Sequence, residues 1–462
     1  MLLQFPCDKR ARAAGQHEDL YFRRPIVLVA AVFAFVTESL PFDALAADAD
    51  RPPNVVFIIS DDHGWTDYGF MGHAHLQTPR IDRLARESLT FRRGYVPSSL
   101  CCPSLASIIT GLYPHQHKVT SNDPPIPHGL QGRQFHESAA FRDGREVMNR
   151  QLEAVPTLPR LLGEQGYRSL QTGKWWQGNY RRGGFTSGMT QGGRHGDQGL
   201  AIGRRTMQPI YDFIAQSKRQ GNPFFVWYAP LLPHQPHDPP ERLLKRYVDA
   251  AASPSVARYW AMVEWFDETV GQLLDYLDEQ HLAQETVVVY LADNGWIQQT
   301  EGPHYAPRSK QSPYEGGIRT PIMVRWPGKV APRESSALAT SIDLAPTLLA
   351  ATGRTPTAAM SGINLLATDE PQRRDAIMGE CFTHNAVDLN NPTANLRWRW
   401  VIAGDWKLIV PAPRNEPDAR SELYNLADDP HETRDLASQQ TQRVAELRAR
   451  LDTWWNPNTA DR

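Results

Sequence analysis

Two adjacent cysteines, Cys101 and Cys102, stand directly before Pro103 in residues 98–111 (SSLCCPSLASIITG). Proline suits the first position of a helix and glycine its stop, so a helix is expected from Pro103 to Gly111. Both thiols then lie at or just before a helix N-terminus, where free amide groups and the helix dipole favour negative charge. A nucleophile placed there can be activated, and an anionic substrate can be held. Two further clusters carry oxygen ligands. Asp61 and Asp62 are neighbours whose charges repel, which calls for a cation or full solvation. Asp293-Asn294-Gly295 has the form of a hairpin turn, but residues 296–303 (WIQQTEGP) do not return as a strand. Three carboxylates and one amide oxygen make an all-oxygen set, suited to Ca²⁺ or Mg²⁺ rather than a thiolate-loving metal.

Each cluster follows an apolar run. Asn54–Ser60 (NVVFIIS) stops at Asp61-Asp62, and Thr286–Ala292 (TVVVYLA) stops at Asp293. Residues 223–229 (PFFVWYA) lead to Pro233-His234, and a weaker run over 167–172 ends at Gly173-Lys174. With helical periods between them, these runs read as an α/β fold whose mixed, largely parallel central sheet is flanked by helices. Ligands of such sheets bind beyond the carboxyl ends of the strands, so four separate segments deliver polar residues to one edge. Farther on, residues 395–410 read as two strands around Gly404. Val444, Leu447 and Leu451 then recur at helical spacing. Trp398, Trp400, Trp406, Trp454 and Trp455 are expected to pack, with a sugar cleft as the alternative. Residues 117–151 are polar and proline-interrupted, and they read as a long loop of the kind that sets substrate choice.

The chain has 462 residues, of which 41% are hydrophobic and 22% charged, with a net charge of −2. That balance is globular and excludes a nucleic-acid binder or a cationic membrane-surface protein. Lys9, Arg10, Arg12, Arg23 and Arg24 precede an apolar run over 25–36, and Ala44-Leu45-Ala46 offers a small-residue cleavage site. This three-part pattern is that of a cleaved signal peptide over residues 1–46, with an apolar stretch too short to span a bilayer. The mature protein is accordingly expected to be exported, periplasmic or secreted, with no stable membrane span. Cleavage removes Cys7 and leaves Cys101, Cys102 and Cys381, an odd number that implies a free or modified thiol. Whether Cys102 and Cys381 pair stays open.

Six motifs in order resemble the type I sulfatase family, whose fold is alkaline-phosphatase-like. They are Asp61-Asp62, Cys101–Leu105, Gly173-Lys174-Trp175-Trp176, Pro233-His234-Gln235-Pro236, Asp293-Asn294-Gly295, and Lys310 with Tyr314-Glu315-Gly316-Gly317. The resemblance implies a catalytic domain over 47–353, a linker over 354–376, and a small C-terminal subdomain over 377–462. That subdomain would be an antiparallel sheet with one helix. It also implies that Cys101 is converted to formylglycine, whose hydrate attacks the sulfur of a sulfate ester. Asp61, Asp62, Asp293 and Asn294 would bind one Ca²⁺ (or Mg²⁺), with the modified Cys101 as a further ligand. Lys174 and Lys310 would neutralise sulfate oxygens, and His234 would serve the leaving group as general acid.

Two residues depart from the family pattern. Leu105 replaces the arginine that converting enzymes read, and Trp176 replaces a histidine assigned the role of general base. Tryptophan has no basic nitrogen. The expected function is exported hydrolysis of a sulfate ester on a small molecule or glycan. Two alternatives stand beside it: a phosphate or phosphonate ester hydrolase of the same superfamily, and a catalytically impaired protein that binds Ca²⁺ and glycans.

Overall fold

A computed structural model describes residues 51–458 of the chain; the leader predicted over 1–46 lies outside them. The continuous apolar runs become the centre of an eight-stranded sheet. Its order is Ser187–Gly188, Arg168–Gly173, Phe224–Ala229, Asn54–Ser60, Thr286–Ala292, Ile322–Arg325, Leu89–Phe91, Arg333–Ser335. The first five strands run parallel, and Ile322–Arg325 lies antiparallel to both its neighbours. The sheet is therefore mixed and mostly parallel, as expected.

Strands buried on both faces need apolar side chains at every position, which is why these runs do not alternate with polar residues. Val55, Phe57 and Ile59 face one core with Leu105, Ile108 and Ile109 of the helix Cys101–Thr110. Val56 and Ile58 face the other, with Met262, Phe266, Val270 and Leu273 of the long helix Pro254–Glu279. Each such side chain contributes about 1.5–3 kcal/mol when fully buried, so the two layers clamp the sheet and hold its strand ends fixed.

Register then places the chemistry. Asn54–Ser60 pairs with Thr286–Ala292 along its whole length, with Ser60 opposite Ala292. Asp61 and Asp293 therefore leave the sheet side by side. Gly173 lies opposite Ala229, whose carbonyl accepts the Lys174 N–H at 2.6 Å.

Two local expectations need correction. The helix after the cysteine pair starts at Cys101, so Pro103 occupies its third position and not its first. A proline is tolerated throughout the first turn because those N–H groups have no intrahelical partner. Its stop is as expected, with Gly111 at φ 68°. The loop expected over 117–151 is partly helical, with Gly132–Glu137 and Ala139–Glu153. Ser138 caps the second of these by accepting the Phe141 N–H, and Phe141, Met148 and Leu152 bury one face. The polar composition hid that stripe.

Toward the C-terminus, Ala376–Phe382, Leu396–Ala403, Trp406–Pro411 and Glu422–Asn425 form a four-stranded antiparallel sheet. Leu447 and Leu451 of the helix Thr441–Trp454 pack on its Val401, Leu408 and Leu423. Trp400 is fully buried, while Trp454 and Trp455 pack against His115, so these tryptophans serve packing. Cys102 and Cys381 do not pair. Both are buried free thiols, one accepting from Gln177 Nε2 at 3.0 Å and the other 3.3 Å from Ser99 Oγ.

A buried ion cluster ties this sheet to the segment that carries Lys310. Lys407, with no exposed surface, meets Glu315 at 3.0 Å and Glu432 at 2.8 Å. Lys407→Met would leave Glu432 without its cation and Glu315 with Arg319 alone at 3.4 Å, a loss of about 3–5 kcal/mol. Its melting temperature should fall by several degrees, and adding Glu315→Gln with Glu432→Gln should recover most of the drop. An unchanged melting temperature for the single variant would remove the cluster from the account of stability.

Candidate active site

At the carboxyl edge of the sheet, two lysines reach into three carboxylates. Lys174 Nζ lies 2.5 Å from Asp61 Oδ1 and 3.9 Å from Asp293 Oδ2. Lys310 Nζ meets Asp62 at 2.6 and 2.8 Å and Cys101 Sγ at 3.1 Å. Asn294 Nδ2 donates to Asp62 Oδ1 at 2.7 Å, and Asp293 Oδ1 accepts the Asp62 and Asn294 N–H groups at 3.1 and 2.7 Å. Ser104 Oγ donates to the Asp293 carbonyl at 2.5 Å, tying the helix that begins at Cys101 to the strand end. All of the residues predicted from sequence for this site thus meet at one place: Asp61, Asp62, Cys101, Lys174, His234, Asp293, Asn294 and Lys310.

Three oxygens in this cluster have no hydrogen-bond partner and no contact with solvent: Asp61 Oδ2, Asp293 Oδ2 and Asn294 Oδ1. Stranding a buried acceptor costs about 1–3 kcal/mol each, more when it is charged. All three belong to the predicted metal ligands, and coordination by a hard divalent cation is the kind of partner such oxygens lack. Ligand atoms of Asp61, Asp62, Cys101 and His234 also lie within 4.8 Å of one another. The donor set fits Ca²⁺ or Mg²⁺.

Electrostatics point the same way. Burial pushes Asp61 up to about 6, against the pull of Lys174, and pushes Asp293 up to about 7, with Asp61 adding to the rise. Burial also acts to raise Asp62, but Lys310, His234 and Lys174 outweigh it and hold this carboxyl well below the usual range. The Cys101 thiol is pushed up by burial despite both lysines, so an unmodified cysteine here is a neutral thiol and a weak nucleophile.

His234 presents Nε2 at 3.4 Å from Asp62 Oδ2, and its Nδ1 lies 2.6 Å from the Gln235 carbonyl. A carbonyl only accepts, so Nδ1 carries a proton and Nε2 is the nitrogen left to exchange one. Burial and Lys174 lower this histidine to about 3. Beside it opens a cavity of about 470 Å³ lined by Gln235, His237, Ser255 and Arg258, wide enough for a sugar-sized group.

The two departures sit differently. Leu105 is buried in the core beneath the helix start and offers the site nothing polar. Trp176 is a buried plate: the guanidinium groups of Arg145 and Arg194 lie 5.5 and 4.9 Å from its ring centre. Its indole Nε1 is buried without a partner. The sequence reading missed Asp123, Arg194 and His195, which gather beside Trp176. The Gly-Gly-Arg-His-Gly run over 192–196 was the one local sign of a segment held close to other backbone.

A family model described as Sulfatase matches residues 53–354, and one described as N-sulphoglucosamine sulphohydrolase, C-terminal, matches residues 307–456. Human N-acetylgalactosamine-6-sulfatase is 30% identical over 370 residues, covering 70% of this chain and 67% of the relative. Human arylsulfatase A is 30% identical over 366 residues, covering 68% and 67%. Among solved structures, Ps i-CgsB in complex with k-i-k-neocarrahexaose superposes with a TM-score of 0.70 at 21% identity, covering 88% of this chain and 94% of that one. The phosphonate monoester hydrolase of Agrobacterium radiobacter does so at 0.64 and 19%, covering 86% and 96%.

Proposed function

The chain belongs to the type I sulfatase family, and from that premise we propose that it hydrolyses the sulfate ester of a small molecule or glycan after conversion of Cys101 to formylglycine. The observation that carries this reading is the trio of stranded oxygens on Asp61, Asp293 and Asn294, placed next to Cys101 and two buried lysines. Asp61, Asp62, Asp293 and Asn294 would hold Ca²⁺, with Mg²⁺ the other candidate, and the converted Cys101 would complete the ligand set. Such a cation, when bound, adds positive charge that polarises the sulfuryl group and orients the nucleophilic oxygen.

The chain's own residues do the rest. Lys174 and Lys310 oppose the charge of the sulfuryl oxygens in a water-poor site, where a fixed ammonium is worth more than in water. His234 Nε2 is placed to exchange a proton with the leaving oxygen, its ring orientation set by the Gln235 carbonyl. The cavity beside it, with Arg258 and His237 on its wall, receives the group that carries the ester. No helix among the described residues is long and apolar enough to cross a membrane. We take the protein to be exported, on the strength of its N-terminal charge and hydropathy pattern.

Peptide mass spectrometry across residues 98–112, on protein from the native host, tests the reading when paired with assays on aryl and sugar sulfates. Formylglycine at Cys101 together with sulfate release is the expected result. An unmodified thiol with no hydrolysis of any sulfate ester would make the protein a binding relic. An unmodified thiol with phosphoesterase activity would move it to the phosphate or phosphonate branch of the superfamily.

A further inference from the structure

Trp176 leaves the site one imidazole short, and a distant segment brings another. Residues 193–199 fold back onto the end of the Arg168–Gly173 strand. The His195 carbonyl accepts the Trp175 N–H at 3.0 Å. Gly196 and Gly199 come so near the Gly173 carbonyl that an added Cβ would fall 2.4 and 2.7 Å from its oxygen. The backbone is held in conformations that L-residues rarely adopt, with φ of 69° at His195 and 39° at Asp197. The Asp197 carboxylate secures the turn by accepting the N–H groups of Gln191 and Gly193 at 2.9 and 2.7 Å.

This strained loop sets the His195 ring edge-on to Trp176, with centroids 4.4 Å apart, and 5.8 Å from the ring of His234. Behind it, Arg194 Nη1 donates to His195 Nε2 at 2.9 Å. The same guanidinium is gripped by Asp123, Nε to Oδ1 at 3.0 Å and Nη2 to Oδ2 at 2.7 Å. A guanidinium only donates, so Nε2 is the acceptor and the proton of the neutral ring sits on Nδ1. Nδ1 has no protein partner among the described residues. Burial, followed by Lys174, Arg194, His234 and Lys310, holds the ring well below the ordinary histidine range.

We propose that His195 is a sulfuryl-binding residue: Asp123 and Arg194 fix its tautomer, and its Nδ1–H donates a hydrogen bond to an oxygen of the bound sulfate ester. It stands in for the imidazole missing at position 176 as a donor and not as a base, because Nε2 is occupied and Nδ1 already carries its proton. The proposal rests on the sulfatase reading above.

Calorimetric binding of inorganic sulfate to the calcium-loaded full chain tests it, with 4-nitrophenyl sulfate kinetics alongside. His195→Gly removes the ring without straining the left-handed backbone, and His195→Asn keeps a donor near the Nδ1 position in a residue that tolerates that backbone. A hydrogen bond to a charged group is worth a factor of about 10–100. His195→Gly should weaken sulfate binding by that factor and raise KM for the aryl ester, with conversion of Cys101 unchanged. His195→Asn should regain most of the affinity. Arg194→Lys, a point charge that cannot bridge Asp123 and His195, should weaken binding alone and cost nothing further beside His195→Gly. Wild-type affinity in His195→Gly overturns the proposal, and so does a loss that asparagine fails to restore. A wild-type chain that neither binds sulfate nor hydrolyses the ester overturns the sulfatase reading itself, and this proposal with it.

Discussion

Asp293→Ala protein should come out of purification without its divalent cation and with sulfatase turnover down by about 10³-fold, since a bound cation supplies several kcal/mol of charge stabilisation. Asp293 is the hinge of the cluster. One of its oxygens holds two backbone N–H groups, and the other has no hydrogen-bond partner. The fold should survive, because the strand behind it is clamped by two apolar layers. Elemental analysis checks the outcome, and one equivalent of Ca²⁺ or Mg²⁺ retained in the variant would sink the metal assignment. A pH signature accompanies it. Burial raises Asp61 to about 6 and Asp293 to about 7 in the metal-free cluster, so both are protonated in the folded state at pH values where the unfolded chain has released its protons. Their contribution to stability is complete below the ordinary carboxylate range and is lost as pH rises through about 6 to 7. Histidines that burial keeps neutral, such as His63, His117 and His234 at about 3, act in the opposite direction as pH rises toward the ordinary histidine range, so the carboxylate signature is read as a difference. The gap in melting temperature between calcium-loaded and chelator-stripped protein should widen from pH 5 to pH 8, because cation binding needs both carboxyls ionised. A gap that stays constant across that window would contradict the burial argument.

Lys310→Met should cost about 10²–10³-fold in turnover, the range found when one preorganised charge donor is removed from a reaction site. The loss has a second face. Lys310 grips both oxygens of Asp62 and leads the group that holds this carboxyl low against burial. Without Lys310 burial gains weight, the Asp62 carboxyl rises, and the acid limb of the pH–rate profile should move to higher pH. Metal retention at pH 8 should be close to normal, which separates this variant from Asp293→Ala. A loss under about threefold with an unmoved acid limb would take Lys310 out of the machinery.

Much of this was legible in the chain as written. The continuous apolar runs declared buried strands because only a sheet covered on both faces tolerates them, and polar pairs at their ends marked the edge where ligands bind. Gly111 stopped its helix as glycine does, and the six motifs named the family along with the residues that meet at the site. The leader and its cleavage point belong to residues the structure does not describe, and they remain a reading of charge and hydropathy.

Other features depended on contacts between distant segments. The helix starts at Cys101, two residues before Pro103, and Ser104 in its first turn docks on the Asp293 carbonyl far along the chain. Along Ala139–Glu153, Met148 and Leu152 join the core and Phe141 packs on Phe135, a stripe that the polar surroundings concealed. Trp176 read as the loss of an imidazole, and Leu105 as the loss of a cation. Only the folded chain shows Asp123, Arg194 and His195 converging beside that tryptophan from more than seventy residues of sequence. Local pattern fixes what an element is, since period and turn chemistry act within a few residues. Which oxygens are stranded, and which imidazole stands next to which lysine, depends on strand register and loop docking, and those are decided by packing across the whole chain.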